Sequence, residues 1–249
     1  MINRITIDTS ECVTELCKIM GEQGTDKSPL VSPLLGNSTS LDGIIDREYI
    51  QPGYPYKIVE YAHAYMGIYD FLFSSLRNKK IKFGEIGVHY NHSIRGWKEY
   101  FPKAEIHGFE WMQEFIDSAK NENLKNVYYH WTNVYQKEEI NKSFEQANGN
   151  KEKFDIIIED SCHFLSTQLN VAETVHKYLK PGGILVIEDI YPQIGEFGTD
   201  KWDDYLPEIL DQHFQSVQKY YSNMVLVTPS HKYKYTGQYG EVRMLVLHK

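Results

Sequence analysis

From residue 81 onward the chain alternates short apolar runs with amphipathic stretches. The apolar runs predict strands over Lys82–Val88, Glu105–Phe109, Val127–His130, Phe154–Ile158 and Ile184–Ile187. Helical spacing between them predicts helices over about 93–100, 113–121, 136–146 and 166–179. Because strands that alternate with helices pair in parallel, the pattern predicts an α/β fold with a mostly parallel, doubly wound sheet covered on both faces.

After Asp189 the pattern changes to one helical stretch and two further apolar runs. The helix is predicted over Asp203–Gln212, and the strands over Tyr220–Val227 and Val242–Leu247. A polar, tyrosine-rich stretch, 228–241, separates the two strands. We therefore expect the sheet to end in a hairpin-like unit with a terminal antiparallel strand.

The first 80 residues follow a different pattern. Apolar residues recur at helical spacing from Val13 to Met20, behind Thr9 and Ser10, which are suited to cap a helix. Residues 21–55 are rich in Gly, Pro, Ser and Asp and predict a long loop or lid, and Lys57–Leu76 predicts a second helix. The chain is thus expected to divide into an N-terminal helical and lid segment, 1–80, and an α/β domain, 81–249.

Composition narrows the class of protein. Of 249 residues, 41% are hydrophobic and 24% charged, which is typical of a globular chain, and the net charge of −8 disfavours a protein that grips nucleic acid. The three cysteines form no CxxC pair, which indicates a reducing compartment. No long apolar run or signal-peptide core is visible, so we expect a cytoplasmic protein with no membrane span.

Two residues at strand ends are candidates for cofactor binding. Gly87 follows the first strand of the domain, where a missing Cβ lets a ligand approach the backbone, and Glu110 ends the second strand, where a carboxylate suits a ribose diol. The loop between them, 89–92, lacks the remaining glycines of a dinucleotide motif. That favours S-adenosylmethionine (SAM), which carries no phosphate. The alternative is a turn glycine and a solvated acid.

Acids also follow the two later strands. Asp160 stands three residues before His163, and Glu188 and Asp189 end the next strand. If these strands are parallel neighbours, the carboxylates converge, and a hard cation such as Mg²⁺, with Mn²⁺ or Ca²⁺ as alternatives, would relieve their repulsion. His163 would then stand within reach as a general base. Alternatively, His163 is a structural residue and the acids are helix caps or solvated.

Six short motifs together resemble the class I SAM-dependent methyltransferases, and more narrowly the metal-dependent sugar O-methyltransferases of macrolide tailoring and polysaccharide modification. The resemblance covers roughly residues 15–190. The motifs are Gly24-Thr25-Asp26-Lys27, the His63-x-Tyr65-x-x-x-Tyr69 segment, Glu85-Ile86-Gly87-Val88, the Trp97-x-x-Tyr100-Phe101-Pro102 helix end, Asp160-x-x-His163, and Pro181-Gly182-Gly183 with Glu188-Asp189. The family has a Rossmann-like fold, so the resemblance implies the same sheet as the hydrophobic pattern.

The resemblance implies a role for each candidate residue. Asp160, Glu188 and Asp189 would bind the metal ion, and His163 would be the general base. SAM would lie against Glu85, Gly87 and Glu110, with Ser93 near its methionine end and Asn133 at the adenine position, where relatives commonly carry an acid. Asp26, Lys27, His63 and Tyr65 would close over the cofactor or substrate. An insertion between Lys27 and His63 is expected to shape a different acceptor pocket.

The function that the resemblance implies is methyl transfer from SAM to a sugar hydroxyl, on a nucleotide sugar or a surface or capsular glycan precursor. Three alternatives stay open at this point. They are a catechol-type or small-phenol O-methyltransferase, an N-methyltransferase acting on an amino sugar, and a non-catalytic nucleotide- or sugar-binding module. The long N-terminal segment is also a plausible contact arm in a homo-oligomer.

Overall fold

A computed structural model gives the architecture of the chain. It describes in full residues 2–9, 14–25, 27–28, 65–149, 151–190, 210–230 and 243–249, together with the backbone of residues 30–31, 48–50, 57–59, 193–194, 203–204 and 207–209. Within these residues, no helix is long and apolar enough to cross a membrane.

Thirteen strands and seven α-helices are present in the part of the chain that is described. The strands are β1 Asn3–Asp8, β2 Leu30–Val31, β3 Glu48–Ile50, β4 Lys57–Val59, β5 Lys82–Ile86, β6 Glu105–Glu110, β7 Val127–Trp131, β8 Phe154–Glu159, β9 Leu179–Ile187, β10 Gln193–Ile194, β11 Asp203–Asp204, β12 Asn223–Ser230 and β13 Met244–His248. The helices are α1 Glu15–Gln23, α2 Met66–Phe73, α3 His92–Tyr100, α4 Gln113–Asn121, α5 Lys137–Ala147, α6 Leu165–Val175 and α7 Pro207–His213.

Eight strands form the main sheet, in the order β1-β12-β13-β9-β8-β5-β6-β7. The neighbours from β9 to β7 are parallel, whereas β13 runs antiparallel to both β9 and β12. The predicted α/β class, the mostly parallel sheet and the terminal antiparallel unit are therefore confirmed. The strand order reverses between β5 and β8, and this switch point is where such sheets bind ligands.

Buried apolar residues cover both faces of the sheet. On one face, α1, α2 and α3 pack their aromatic and aliphatic side chains against β5 and β6, and Trp97 stacks on Phe101 with 5.9 Å between ring centroids. On the other face, α5 and α6 pack against β8 and β9, and Phe109 stacks on Phe144 at 4.1 Å. Because β8 is covered from both sides, its apolar residues form the continuous run that the sequence displays.

The N-terminal region departs from its predicted secondary structure in two places. Residues 3–8 form β1, a strand that the hydrophobic pattern does not predict, and β1 pairs in parallel with β12 at the edge of the main sheet. Residues 57–59, predicted as the start of a helix, form β4, which pairs with β2 and β3, and α2 begins only at Met66. The helix predicted from Val13 to Met20 is present as α1, but its N-cap is Thr14, whose hydroxyl accepts from the Cys17 N–H. Thr9, predicted as a cap, instead extends β1 by donating its N–H to the Ser230 carbonyl at 2.8 Å, and Ser10 lies outside the described residues.

Two other predictions need correction. Residues 203–204, predicted as the start of a helix, form β11 with β10, and α7 begins at Pro207. The strand predicted over Ile184–Ile187 begins earlier, at Leu179, so that Pro181, Gly182 and Gly183 lie inside β9. The register between β8 and β9 shifts within this stretch, and Gly182 has a positive φ of 78°, so the strand is irregular where these residues lie.

Candidate active site

The ends of β5 and β8 approach each other closely at the switch point. Asp160 donates its backbone N–H to the carbonyl of Ile86 at 2.9 Å. Gly87 has a φ of 98°, and a Cβ at this position would lie 1.9 Å from the carbonyl oxygen of Asp160. Only glycine fits there, because a side chain would be both conformationally strained and in collision with backbone. Gly87 therefore follows β5 directly, as the sequence predicts. Its backbone contacts Asp160, the candidate metal ligand at the end of β8.

Glu110 is held by backbone amides. Its carboxylate accepts four hydrogen bonds, from the N–H groups of Val88 and His89 at 3.0 Å, Trp111 at 2.8 Å and Met112 at 3.0 Å. The side chain is 8% exposed. Glu110 thus ties the loop after β5 to the loop after β6, beside the place predicted for a ribose.

The loop after β5 shows how the missing glycines are replaced. His89 and Asn91 both have positive φ, at 47° and 66°. Asparagine tolerates this left-handed conformation better than most residues, and the Asn91 side chain is held by the Tyr129 hydroxyl at 2.9 Å. The loop therefore adopts a left-handed backbone at these two positions without glycine.

Glu85 is the penultimate residue of β5 and is fully buried. It accepts hydrogen bonds from the Ser93 hydroxyl at 2.8 Å and from the Trp97 indole at 3.4 Å. Burial raises the pKa of Glu85 to about 7, and the ammonium of Lys27, 3.9 Å away, opposes that rise. Glu85 and Ser93 are thus neighbours, as both of their predicted roles require.

Asp160, His163 and Asp189 form a group that could hold a metal ion. One ligand atom from each lies within 4.8 Å of the others. The His163 Nε2 atom is 3.6 Å from Asp189 Oδ2, and its Nδ1 atom is 4.0 Å from Asp160 Oδ1. His163 and Asp189 both adopt positive φ, at 60° and 54°, so the backbone turns each residue sharply after its strand.

The protonation of His163 depends on these neighbours. Burial disfavours the charged imidazolium, but the carboxylates of Asp189 and Asp160 outweigh it, so the pKa of His163 is raised. The side chain keeps 20% of its surface exposed, but its Nδ1 atom is buried.

Glu188 has a different set of partners. Its Oε1 atom accepts from the Tyr69 hydroxyl at 2.5 Å, and its Oε2 atom accepts from the Lys27 ammonium at 2.6 Å. Burial raises the pKa of the Glu188 carboxyl well above its ordinary range, and Lys27 opposes that rise. Glu188 therefore lies next to the Asp160, His163 and Asp189 group but is bound to side chains from the N-terminal region.

Lys27 and Tyr65, predicted to close over cofactor or substrate, contact the same carboxylates. Lys27 is 2% exposed and also donates to Asp160 Oδ2 through a short hydrogen bond. Tyr65 is fully buried and donates its hydroxyl to Asp189 Oδ1 at 2.6 Å. Asp26 and His63, predicted to act beside them, lie outside the described residues. Asn133 is half-buried after β7, where its side chain accepts from the Tyr135 N–H at 3.0 Å.

Two site residues were given no role from the sequence. Tyr69 ends the His63-x-Tyr65-x-x-x-Tyr69 motif, and its i, i+4 spacing from Tyr65 is the signal that could have assigned it to the site. Glu159 precedes Asp160 and is fully buried, and burial raises its pKa to about 7. One of its oxygens accepts from the Ser161 N–H at 3.1 Å, while the other has no hydrogen-bond partner among the described residues.

Curated relatives agree with the resemblance seen in the motifs. The mycinamicin VI 2''-O-methyltransferase of Micromonospora griseorubida is 27% identical over 139 residues, which cover 53% of this chain and 32% of the relative. The 8-demethyl-8-alpha-L-rhamnosyl tetracenomycin-C 2'-O-methyltransferase of Streptomyces olivaceus is 26% identical over 150 residues, covering 57% and 37%. The demethylmacrocin O-methyltransferase of Streptomyces fradiae is 25% identical over 136 residues, covering 52% and 32%. The chain spans about a third of the length of these relatives.

A solved structure and a family model complete the comparison. The MycE methyltransferase from the mycinamycin biosynthetic pathway, in complex with Mg and SAH, is similar with a TM-score of 0.51 and 20% identity, over 73% of this chain and 48% of that chain. This likeness shows the shared fold. The model of the methyltransferase domain family matches residues 88–241, well over half of the chain. The chain therefore belongs to the methyltransferase domain family.

Proposed function

We propose that this chain transfers the methyl group of SAM to a hydroxyl of a sugar, with the help of a divalent cation and with His163 as general base. The observation that carries the proposal is the meeting of Asp160, His163 and Asp189 beside Gly87 and Glu85, across the switch point of the sheet. An acceptor site at β8 and β9 would then adjoin a cofactor site at β5 and β6. The sugar substrate class comes from the motifs and from the names of the relatives.

The loop after β5 supports SAM rather than a dinucleotide. In a dinucleotide site, backbone N–H groups of this loop face a pyrophosphate. Here the N–H groups of Val88 and His89 donate to the Glu110 carboxylate. An acid beside these amides would repel a phosphate, whereas SAM has none and its sulfonium is positively charged. Glu110 is proposed to meet the ribose, with Asn133 near the adenine and Ser93 near the methionine end.

The carboxylates fit a hard divalent cation. Asp160 and Asp189 would hold the ion, and Glu188, which the family resemblance adds to the ligand set, lies beside them. Oxygen donors of this kind suit Mg²⁺. When bound, the ion would hold the acceptor hydroxyl and lower its pKa. The N-terminal segment, 1–80, is proposed to cover this edge of the domain 81–249, because Lys27, Tyr65 and Tyr69 reach the carboxylates from it.

His163 is proposed to accept the proton of the hydroxyl as the bond from oxygen to the methyl carbon forms. The carboxylate of Asp189 lies 3.6 Å from the Nε2 atom of the imidazole, and its charge would stabilise the imidazolium that forms when the proton is accepted. SAM leaves as S-adenosylhomocysteine when its carbon–sulfur bond breaks. Because the sulfonium already activates the methyl group, alignment of the hydroxyl with that bond would supply much of the rate.

The replacement His163→Ala tests this function. We expect turnover of a nucleotide sugar to fall at least about 100-fold, since general bases contribute about that much, while the Kd for SAM stays nearly unchanged. Turnover is measured with methyl-labelled SAM and binding by calorimetry. His248→Ala, at the opposite end of the sheet, is the matched control and should keep its activity.

Other outcomes point to the alternative functions. Unchanged turnover in His163→Ala would reject the base. Activity that EDTA does not reduce would favour an N-methyltransferase, and turnover of catechols but not sugars would favour the small-phenol class. SAM binding without turnover of any acceptor would favour a non-catalytic module.

A further inference from the structure

A buried ammonium lies among the carboxylates of the candidate site. The Lys27 Nζ atom binds Asp160 and Glu188 and is 3.9 Å from Glu85. Lys27 is 2% exposed, and Glu188 and Glu85 are fully buried. A lysine is rarely buried to this extent unless paired carboxylates offset its loss of hydration.

The backbone around Lys27 fixes this position. The Lys27 N–H donates to the Thr25 hydroxyl at 3.3 Å, and the Lys27 carbonyl accepts from the Tyr65 N–H at 3.1 Å. The next residue, Ser28, donates its hydroxyl to the carbonyl of Cys17 in α1 at 2.7 Å. Lys27 is therefore anchored to both α1 and the start of α2, and its ammonium is not a surface group that has folded inward.

Asp160 has its two oxygens on opposite sides. Its Oδ2 atom accepts from Lys27, whereas its Oδ1 atom faces His163 at 4.0 Å. A cation held by Asp160 and Asp189 would thus share Asp160 with the ammonium. An ammonium and a divalent ion that bind the same carboxylate repel each other, and the repulsion is stronger in a partly buried site than in water. An ion at this site would be held less tightly, and would keep more of its charge for a substrate oxygen, than one with sole use of Asp160.

We propose that Lys27 is a positioning residue, a resident cation that fixes Asp160 and Glu188 and weakens the binding of the divalent ion so that the ion acts on the acceptor. This inference rests on the proposed function, since it concerns the same ion. It assigns Lys27 an effect on the ion through charge and orientation, without direct contact with substrate.

Binding of Mn²⁺ to the full chain, measured by calorimetry and by its electron paramagnetic resonance signal, tests the proposal. Lys27→Met should bind Mn²⁺ about tenfold more tightly than the wild type, because one positive charge has left the site. Its turnover with saturating Mg²⁺ should nevertheless fall about tenfold or more. Loss of a merely structural side chain would weaken ion binding or leave it unchanged.

The control is Lys82→Met. Lys82 is also buried, at 1% exposure, and it pairs with Glu105 at 3.1 Å at the opposite end of β5. This variant should keep the wild-type Mn²⁺ affinity. If Lys27→Met fails to fold, a second comparison replaces it. The double variant Lys27→Met/Glu85→Gln is then compared with Glu85→Gln alone. The double variant leaves fewer buried charges unpaired and should again bind Mn²⁺ about tenfold more tightly than its reference.

The results separate two failures. If the wild type binds Mn²⁺ and a folded Lys27→Met binds it equally or more weakly, the role of Lys27 is rejected and the proposed function stands. If the wild type binds no Mn²⁺, the metal-assisted function itself is rejected.

Discussion

Glu110 and Glu188 are buried carboxylates at the same edge of one sheet, but they are satisfied in different ways. Glu110 receives its four hydrogen bonds from backbone N–H groups of two adjacent loops. Glu188 receives its hydrogen bonds from Tyr69 and Lys27, side chains of a region more than one hundred residues earlier in the sequence. The half of the sheet formed by β5, β6 and β7 is thus organised locally, and the half formed by β8 and β9 is completed from a distance.

The difference has a consequence for the two proposed sites. Backbone donors are fixed by the loop conformation and do not depend on side-chain identity, so the hydrogen bonds to Glu110 tolerate changes in the side chains of residues 88, 89, 111 and 112. The side formed by β8 and β9 depends on three side chains, Lys27, Tyr65 and Tyr69, each of which could be altered singly. A change in the N-terminal region at one of these side chains therefore acts directly on the carboxylates of the proposed metal site.

The largest expected effect is at the junction of the two halves. Gly87→Ala should lower the free energy of unfolding by about 4 kcal/mol or more, because the added methyl group would collide with the Asp160 carbonyl and the residue would be strained. Gly182→Ala is the control: its φ is also positive, but no atom lies within 4 Å of its added Cβ. That control should cost about 1 kcal/mol. Denaturant unfolding measures both, and equal costs would contradict the close approach of β5 and β8.

The next largest loss of stability is expected for Glu110→Gln, which disrupts the hydrogen bonds from backbone N–H groups to this carboxylate. A glutamine offers one acceptor oxygen, and its amide group would face two backbone donors, so we expect a loss of about 3 kcal/mol. Amide hydrogen exchange should quicken at Val88 and His89. Glu122→Gln, which alters a surface ion pair with Arg95, should change stability by less than about 0.5 kcal/mol. Unchanged exchange at residues 88 and 89 would show that the carboxylate does not hold this loop.

Tyr69→Phe breaks one of the hydrogen bonds that the N-terminal region donates to Glu188. It removes the hydroxyl that binds Glu188 and keeps the ring that packs on Phe73 and Trp97, so we expect a loss of about 2 kcal/mol. The control is Tyr221→Phe, whose buried hydroxyl binds the uncharged carbonyl of Ala172 at 2.8 Å. Its cost should be about 1 kcal/mol. If the two variants unfold at the same denaturant concentration, the carboxylate of Glu188 forms no stronger hydrogen bond with a tyrosine hydroxyl than a backbone carbonyl does.

The smallest effect is an acid sensitivity of the β6–β7 side. Burial, together with neighbouring His107, lowers the pKa of His130 from its ordinary 6.5 to about 4, and the two rings share a hydrogen bond of 2.8 Å. The unfolded chain therefore binds a proton that the folded chain does not, so stability is full above pH 6.5 and falls as the pH drops toward 4. His130→Asn should remove about 1 kcal/mol of the loss between pH 7 and 5.5. If the free energy of unfolding falls equally steeply with pH in the variant and the wild type, His130 is not the source of the acid sensitivity.

The sequence predicts the locally organised half better than the other. β5, β6 and β7 begin where their apolar runs begin, and Gly87 and Glu110 lie at the strand ends that the pattern indicated. These features follow from short-range patterns, since a buried parallel strand must be apolar and its loop must begin at its end. The convergence of Asp160 and Asp189 also followed, because adjacent parallel strands bring their carboxyl ends together.

Contacts between residues far apart in the sequence could not be predicted from the local hydrophobic pattern, for physical reasons. β1 alternates weakly because it is an edge strand with most of its side chains exposed, and its partner lies far along the chain. The contact of Lys27 with Glu188 spans 161 positions, and nothing in the spacing of either residue indicates it. Local propensity was also overridden at Lys57–Val59, where pairing with β2 and β3 replaces the helix that apolar spacing favoured.

The pairing of β1 with β12 bears on the order in which the chain can fold during synthesis. Asn3 hydrogen-bonds to Asn223, a residue made 220 positions later. β1 must therefore wait, unpaired, until β12 has been synthesised, and Lys27 must wait likewise for Glu188. Such distant contacts are slow to form, so the central parallel strands have the opportunity to assemble first. In that order of folding β1 and Lys27 join last. β1 adds to the edge of a sheet that already exists, and Lys27 binds carboxylates that this sheet already holds.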